Sequence, residues 1–349
     1  MPAELTLTHN SLALYEQIFA NNNDPKLAER LVWMHEKNPA QKNYFSIFLD
    51  EQANRPAALY AVFPVIFQQF GKQVNAVQSI DTITDINYRG MGLFKKLAID
   101  CYQHAKADGV GFVYGFPNDQ SAPGFFKSLG WSPIAEVPFL IKPLNLFYPL
   151  KYKFKKNIPF YFNINLGLKW LFTQNKYTSK VLHSFDDEYN ALWQKYATSF
   201  QIGVVRNATY MNWRIANHPT EQYTTHAYYS NNVLVAIFVL AVKEEKHHGK
   251  MGYVIDTIYD PSYANDMPYL FYLAQKSTFY KAKVDAVLGW CFNHSNNHIL
   301  YKKTEFYTIP KKLQPIKLFF GANNFDNSND TTFFDKKNWY LSYCDSDTV

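Results

Sequence analysis

Asp85-Ile86-Asn87-Tyr88-Arg89-Gly90-Met91-Gly92-Leu93-Phe94 joins an alternating apolar run to an amphipathic helix through an Arg-Gly-x-Gly turn. The run before it, Ala76 to Thr84, reads as a strand; after it, Leu93, Leu97, Ile99, Cys101 and Ala105 recur near helical spacing as far as Asp108. Glycines at 90 and 92 permit positive φ and let bare backbone N–H groups approach an anion. The helix N-terminus behind them adds partial positive charge, so the turn is built to receive a phosphate or pyrophosphate.

The context extends the reading. Gly109 follows the helix, then a short apolar strand at Val110 to Phe116, then Pro117-Asn118, then a short helix from Ser121 to Leu129 that ends at Gly130-Trp131. The segment from the first strand to Trp131 resembles the Gcn5-related N-acetyltransferase (GNAT) superfamily, whose phosphate turn is Gln/Arg-x-x-Gly-x-Gly/Ala. Arg89 fills the first position and Gly92 the first required glycine, while Phe94 stands where the family usually has Gly or Ala. Asn118 and Leu129-Gly130-Trp131 match the Asn after the second strand and the Leu-Gly-aromatic corner. The resemblance implies an α/β (α+β) fold, a mixed twisted sheet flanked by helices, and coenzyme A as the cofactor.

Composition fits an enzyme with a small acidic ligand. The chain has 349 residues, 47% of them apolar, enough for two cores. No apolar run is long enough to span a bilayer, and Glu4, Thr6, Thr8, His9 and Asn10 do not make a secretory signal, so a cytoplasmic protein without stable membrane insertion is expected. Cys101, Cys291 and Cys344 are widely spaced, form no zinc pattern, and are expected to be reduced, with no metal bound. A net charge of +6 without a dense basic tract suits an anionic small molecule and argues against nucleic acid.

The chain also repeats itself. Ser79 to Asp85 reads SIDTITD and Val254 to Asp260 reads VIDTIYD, identical at five of seven positions at a shift of 175. At that shift Asn118 meets Asn293 and Phe126-Lys127 meets Tyr301-Lys302; Trp33 with Asn38-Pro39 has a counterpart in Trp213 with His218-Pro219. Two tandem copies of one α/β unit are expected, with domains at 1–145 and 179–349 and a segment at 146–178 linking them. The second copy's turn, Asp260-Pro261-Ser262-Tyr263-Ala264-Asn265-Asp266, has no arginine or glycine and has acidic ends, so it reads as degenerate and only the first copy is expected to hold the cofactor.

The stretch from Pro138 to Lys180 contains Pro138, Pro143, Pro149 and Pro159, many aromatics, and Lys151-Tyr152-Lys153-Phe154-Lys155-Lys156. Interleaved basic and aromatic residues suit a membrane-surface or substrate-gripping element. The plainer reading, and the one preferred from sequence, is a linker with its aromatics packed underneath and its lysines solvated.

In a GNAT site a thioester carbonyl is polarised, an amine loses a proton and a thiolate leaves. The resemblance assigns carbonyl polarisation to a backbone N–H near Ile83 or Thr84, a contribution of about 3 kcal/mol per donor. It assigns cofactor contacts to Arg89, Gly90, Met91, Gly92, Leu93, Phe94, Asn118 and Phe126. The family's frequent tyrosine acid falls at Phe126, which carries no proton, so another tyrosine or a water must protonate the thiolate. Acid–base help is worth roughly 10²–10⁴-fold, whereas positioning reaches effective molarities of about 10⁵–10⁸ M. Asp81 is the candidate general base, and equally a structural carboxylate given its match Asp256. Asn118 either orients a water or the pantetheine amide, or forms an Asx turn after Pro117.

Asn293, His294 and His298 lie at the corresponding loop of the second copy and are candidates for acceptor binding, a histidine having a suitable pKa for a base. His247-His248 beside Gly249 reads as a hairpin tip, Trp213-Arg214 as part of a helix, and Asp345-Ser346-Asp347 after an aromatic strand, Trp339-Tyr340-Leu341, either as a sugar-hydroxyl contact or as a solvated tail. The ending and the doubled unit look like bacterial acyltransferases acting on nucleotide-linked amino sugars in surface polysaccharide synthesis. The expected partners are therefore acyl-CoA, carrying acetyl or a short hydroxyacyl group such as 3-hydroxybutanoyl, and a dTDP-type deoxyamino sugar. A Fem-like peptidyltransferase using aminoacyl-tRNA, a non-catalytic binding module and a protein-lysine acetyltransferase are the alternatives; the sequence leaves the oligomeric state open.

Overall fold

β-branched and aromatic residues dominate the strands of a computed structural model that describes residues 5–154, 158–165, 167–245, 249–326 and 329–346. Fifteen strands form among them: β1 Leu5–His9, β2 Tyr44–Asp50, β3 Arg55–Gln69, β4 Lys72–Thr84, β5 Phe112–Gly115, β6 Ser132–Glu136, β7 Phe139–Pro143, β8 Thr178–Leu182, β9 Ile202–Val204, β10 Thr224–Ser230, β11 Val233–Glu245, β12 Gly249–Tyr259, β13 Ala286–Trp290, β14 Tyr307–Thr308 and β15 Phe319–Asn324. They make two mixed sheets flanked by helices. The tight turns carry the positive φ that two-residue hairpins require, at Phe70-Gly71 before β4 and at Asn231-Asn232 before β11.

The chain divides into two compact units, each discontinuous in sequence. The first comprises 1–136, 202–205 and 316–338; the second comprises 137–201, 206–315 and 339–349.

In the first unit the strand order is β1-β2-β3-β4-β5-β15-β6, with β9 added beside β3. All neighbours are antiparallel except β4 and β5. One face packs Ile47, Leu59 and Ala61 on α1 (Leu12–Asn21) and α2 (Ala28–His35). The other packs Ala58, Tyr60, Val62, Val77 and Val113 on Leu97, Ala98, Cys101 and Ala105 of α3 (Leu93–Ala107) and on Phe125 of α4 (Ala122–Ser128). These pairs of alternating strand residues on opposite faces are what a period of two demands.

In the second unit the order is β14-β7-β13-β12-β11-β10-β8, and again only one pair, β12 and β13, is parallel. Taken from the edge, the two sheets have the same pattern: four antiparallel strands, a parallel fifth, then two antiparallel strands. The repeated heptapeptides fall on β4 and β12. In each sheet the sixth strand comes from far away in sequence, β15 in the first and β7 in the second. The helices of this unit are α5 (Tyr148–Phe154), α6 (Asp187–Ala197), α7 (Ala208–Met211), which continues as a π turn through Trp213 and Arg214, α8 (Met267–Gln275) and α9 (Asn296–Lys303).

Two sequence expectations are corrected here. Trp339, Tyr340 and Leu341 form no regular strand; they are buried, as are Asp345 and Ser346, so this end of the chain is not a solvated tail. In the 146–178 segment Phe154, Phe160, Phe162 and Phe172 are exposed instead of packed underneath, and of the described lysines Lys151 is buried while Lys153, Lys169 and Lys176 face solvent. Lys151 goes inside because its ammonium meets Asp285 at 2.8 Å, which offsets the cost of its desolvation. His247-His248, Lys155, Lys156 and Asp347 lie outside the described residues. All three cysteines are buried and unbridged.

Candidate acyl-CoA site in the first unit

The turn after β4 is held by side chains that point away from it. Buried Asp85 accepts hydrogen bonds from Asn87 N at 2.9 Å and from the Arg55 guanidinium, capping the single 3₁₀ turn Ile86–Tyr88. Tyr88 donates to Asp50 at 2.5 Å. With Asp85 and Tyr88 anchored, the chain emerges at Arg89, and Gly90 (φ +83°) and Gly92 (φ +70°) are left-handed. A β-carbon on either glycine would meet no protein atom within 4 Å. The space above both residues is therefore open to a ligand, and the helix that starts at Leu93 runs directly on from it. Met91, Lys95 and Lys96 are exposed, Leu93 is buried as the first core residue of α3, and Arg89 Nε lies 3.5 Å from Thr84 O.

Phe94 turns away from the backbone of the turn. Its ring lies 5.3 Å from that of Phe125 and against Gly124, where even a β-carbon would come within 3.0 Å of it. The residue that departs from the family pattern is thus accommodated by a glycine on α4.

β4 and β5 pair only from Ala76 to Gln78, opposite Phe112 to Tyr114; β4 then runs on to Thr84 with β3 alone. Between the pairs Tyr60–Thr82 and Val62–Ser79 the β4 strand carries one extra residue, a bulge spanning Ile80 and Asp81. Asp85 N donates to Ala57 O at 3.0 Å, which fixes the alternation of the ladder. Ile83 N–H is consequently bonded to β3, while Thr82 and Thr84 N–H face the side that β5 has left. Of the two donors considered from sequence, Thr84 has the outward N–H, and Thr82 joins it.

At the mouth of the same gap a directed hydroxyl chain ends. Trp131 Nε1 donates to Tyr102 Oη (3.0 Å), Tyr102 and Tyr60 hydroxyls meet at 2.7 Å, and Tyr60 donates to Ser79 Oγ at 2.8 Å. Burial pushes the Tyr60 phenol above its ordinary pKa, so it stays protonated. Ser79 accepts in this bond, which leaves its own proton available to donate. Sequence reasoning missed Ser79; its place as the first residue of SIDTITD, two before Asp81 and replaced by Val254 in the second copy, was the available signal.

Asp81 is not an isolated carboxylate. Tyr15 of α1 donates to one oxygen at 2.7 Å and Lys26 lies 3.2 Å from the other. Beside them is His35, 2% exposed, its pKa lowered to about 4 chiefly by burial, with Asp81 and the Asn43 side chain opposing. Asn118 forms the Asx turn: its Oδ1 accepts from Gln120 N and Ser121 N, both at 3.0 Å, and leads into α4. Phe126 packs on β15, 5.9 Å from the Phe319 ring and against Gly321.

The second unit treats its equivalents differently. Asp256 is fully buried, bonded to Arg206 Nε at 2.6 Å and to the Tyr340 hydroxyl at 2.5 Å. Arg206 also bonds Asp345 at 2.7 Å, and Arg214 reaches Cys344 O and Ser346 O. From 260 to 266 no residue has positive φ; Asp260 instead bonds Ser262 and Lys195, and Asp266 bonds Tyr177. Asn293 and His294 are exposed, His294 lying 3.2 Å from Trp339 O. His298 is on α9, its pKa lowered by burial and then by Lys302; the buried amide of this helix is Asn297, bonded to Thr257 O and Tyr340.

Among the described residues one group, His9, Asp100 and His104, has donor atoms close enough together for a cation. Its carboxylate is already engaged by His9 at 2.8 Å and by Ser46, which ties β1 and β2 to α3.

Residues 2–134 match the family model described as an acetyltransferase (GNAT) domain. The chain thus carries a GNAT domain in its N-terminal part, and that domain contains every element of the cradle described above. No curated protein sequence matches the chain significantly. Among solved structures, Saccharomyces cerevisiae N-myristoyltransferase with bound myristoyl-CoA is similar at a TM-score of 0.61 and 13% identity, over 93% of this chain and 80% of that one. A probable N-acyltransferase from Enterococcus faecalis V583 gives 0.63 and 10% identity over 92% and 73%. A GCN5-related N-acetyltransferase from Anabaena variabilis ATCC 29413 gives 0.60 and 11% over 92% and 73%. At these identities the likeness is one of fold, and it extends over nearly the whole chain.

Proposed function

We propose that the protein is an acyl-CoA-dependent N-acyltransferase whose donor is held by the first unit, and whose second unit is a degenerate copy of the same fold serving the acceptor. The observation that carries this is the pair of left-handed glycines, 90 and 92, with open space above them at the start of α3. Backbone N–H groups there, the helix dipole and Arg89 would take the diphosphate. Pantetheine would replace β5 along the outward edge of β4, bringing the thioester carbonyl to Thr82 or Thr84 N–H. Attack by a neutral amine forms the C–N bond and collapse of the tetrahedral intermediate breaks C–S; the Ser79 hydroxyl donates a hydrogen bond to the departing thiolate, which takes its proton from solvent. Asp81 accepts the amine proton after exchange with its Tyr15 or Lys26 partner.

The acceptor we propose is the amine of a nucleotide-linked deoxyamino sugar, with Asn293, His294 and His298 contributing, and the acyl group acetyl or a short hydroxyacyl such as 3-hydroxybutanoyl. Exposure of Asn293 and His294 supports this; the chain's end does not, because Asp345 and Ser346 are held by Arg206 and Arg214. The test is calorimetric titration with coenzyme A, followed by thiol-release assays of a panel of acyl-CoAs against nucleotide amino sugars. Absence of coenzyme A binding would refute the donor site. Binding with turnover only on aminoacyl-tRNA or peptide lysine would refute the acceptor alone.

A further inference from the structure

Soluble domains rarely leave large contiguous apolar patches facing water, yet one short stretch of the second unit concentrates them. Of 22 exposed large apolar side chains among the described residues, ten lie between Leu146 and Phe172, a stretch of 27 residues. Phe172 is 97% exposed, Phe160 65% and Phe162 61%. Those from Leu146 to Ile164 are neighbours in space as well as in sequence. Leu150 and Phe154 lie four residues apart on one face of α5, away from the buried Tyr148 and Lys151, and Leu146 stands in the turn just before the helix. The extended strip carrying Phe160, Phe162 and Ile164 runs alongside: Leu146 N bonds Phe162 O and Ile164 N bonds Leu144 O, each at 2.9 Å. The helix is thus apolar on the side turned away from its own core, and its inner side is pinned by the Lys151–Asp285 ion pair.

Charge selects the occupant. From Val137 to Leu182 there are eight lysines and no Asp, Glu or Arg, a net +8 against +6 for the whole chain, leaving −2 for the remainder. Lys151, Lys169 and Lys176 are neutralised by Asp285, Glu305 and Asp266, but Lys153, exposed on α5 beside Phe154, has among the described residues only an aromatic ring, 5.6 Å away. An outward apolar face bordered by lysine is what an interfacial helix presents to anionic lipid.

We propose that Leu146, Leu150, Phe154, Phe160, Phe162 and Phe172 form a peripheral attachment surface for an anionic phospholipid bilayer, with Lys153 at its rim. No helix of the described residues is long and apolar enough to cross a membrane, so the attachment is in the plane of the interface. It is independent of the acyl-transfer reading, since coenzyme A plays no part in it.

The test is co-sedimentation of the full chain with phosphatidylcholine vesicles containing or lacking phosphatidylglycerol, at low and high salt. Binding to the anionic vesicles, weakened by salt, is expected. Phe154→Ser with Phe172→Ser should lower partitioning by about tenfold or more, and Lys153→Ser by about fivefold. Circular dichroism and coenzyme A affinity should be unchanged. Failure to sediment with anionic vesicles would overturn the proposal, as would equal binding by the variants. A wild-type dimer on size exclusion that the double variant converts to monomer would also overturn it, assigning the face to a second copy of the chain.

Discussion

Replacing Gly92 by alanine separates the energy of the turn from the energy of the ligand. At φ +70° a β-carbon costs about 1–2 kcal/mol, and since no atom lies within 4 Å of it no further clash is added. For a unit of this size that corresponds to a fall in Tm of about 2–4 °C per kcal/mol. Gly71 provides a matched control: φ is +79°, the same space is open, and it sits at the β3–β4 hairpin tip instead of at the start of α3. Both variants should lose similar stability by differential scanning calorimetry. Only Gly92→Ala should lose coenzyme A affinity by isothermal titration, by tenfold or more, because its methyl group occupies the volume assigned to phosphate oxygens and screens the N–H groups of the turn. If Gly92→Ala keeps a Kd within about threefold of wild type, the phosphate does not sit over this glycine and the site is wrongly placed; the 1.4 kcal/mol that equals a tenfold change is the margin that decides.

Other perturbations test the remaining parts. Arg89→Ala should weaken coenzyme A binding with Tm unchanged, because the exposed side chain supports no core; equal affinity would remove it from the cradle. Asp81→Asn should lower turnover and move the onset of activity to higher pH, read from a kcat/KM profile, whereas a normal profile with lower Tm would leave Asp81 a partner of Tyr15 and Lys26 only. His35 makes stability pH-dependent. Between pH 6.5 and about 4 the unfolded chain binds a proton at this residue and the folded one does not, so stability falls with pH through that window. The full effect is about 3 kcal/mol, and His35→Leu should flatten the urea-unfolding profile there; an unchanged slope would refute the burial argument. Asp256→Ala should destabilise the second unit by about 3–5 kcal/mol, measured by urea unfolding, by leaving the Arg206 charge buried against Asp345 alone; a loss under about 1 kcal/mol would mean the network is not coupled.

The sequence by itself determined the strand, the left-handed glycine turn and the helix from Ala76 to Asp108, because each depends on local φ preferences and on periodicity within one segment. It also determined that the second copy's turn lacks such glycines, and the repeated heptapeptides fell on equivalent strands. The tertiary structure alone decided which sheet each late strand joins. β7 and β15 read as ordinary short apolar runs, and nothing local says that β7 pairs with β13, nearly 150 residues later, or β15 with β5, over 200 residues earlier. Register likewise chose Thr84 over Ile83 as the outward donor, since a one-residue alternation is fixed by the partner strand. Asp81 and Asp256 look alike in SIDTITD and VIDTIYD; only the arrival of Arg206 and Tyr340 from elsewhere in the chain seals the second and leaves the first partly open. The outward aromatics of 146–172 were unreadable for the same reason: a helix pattern shows that one face is apolar, and long-range contacts decide whether that face is the inner one.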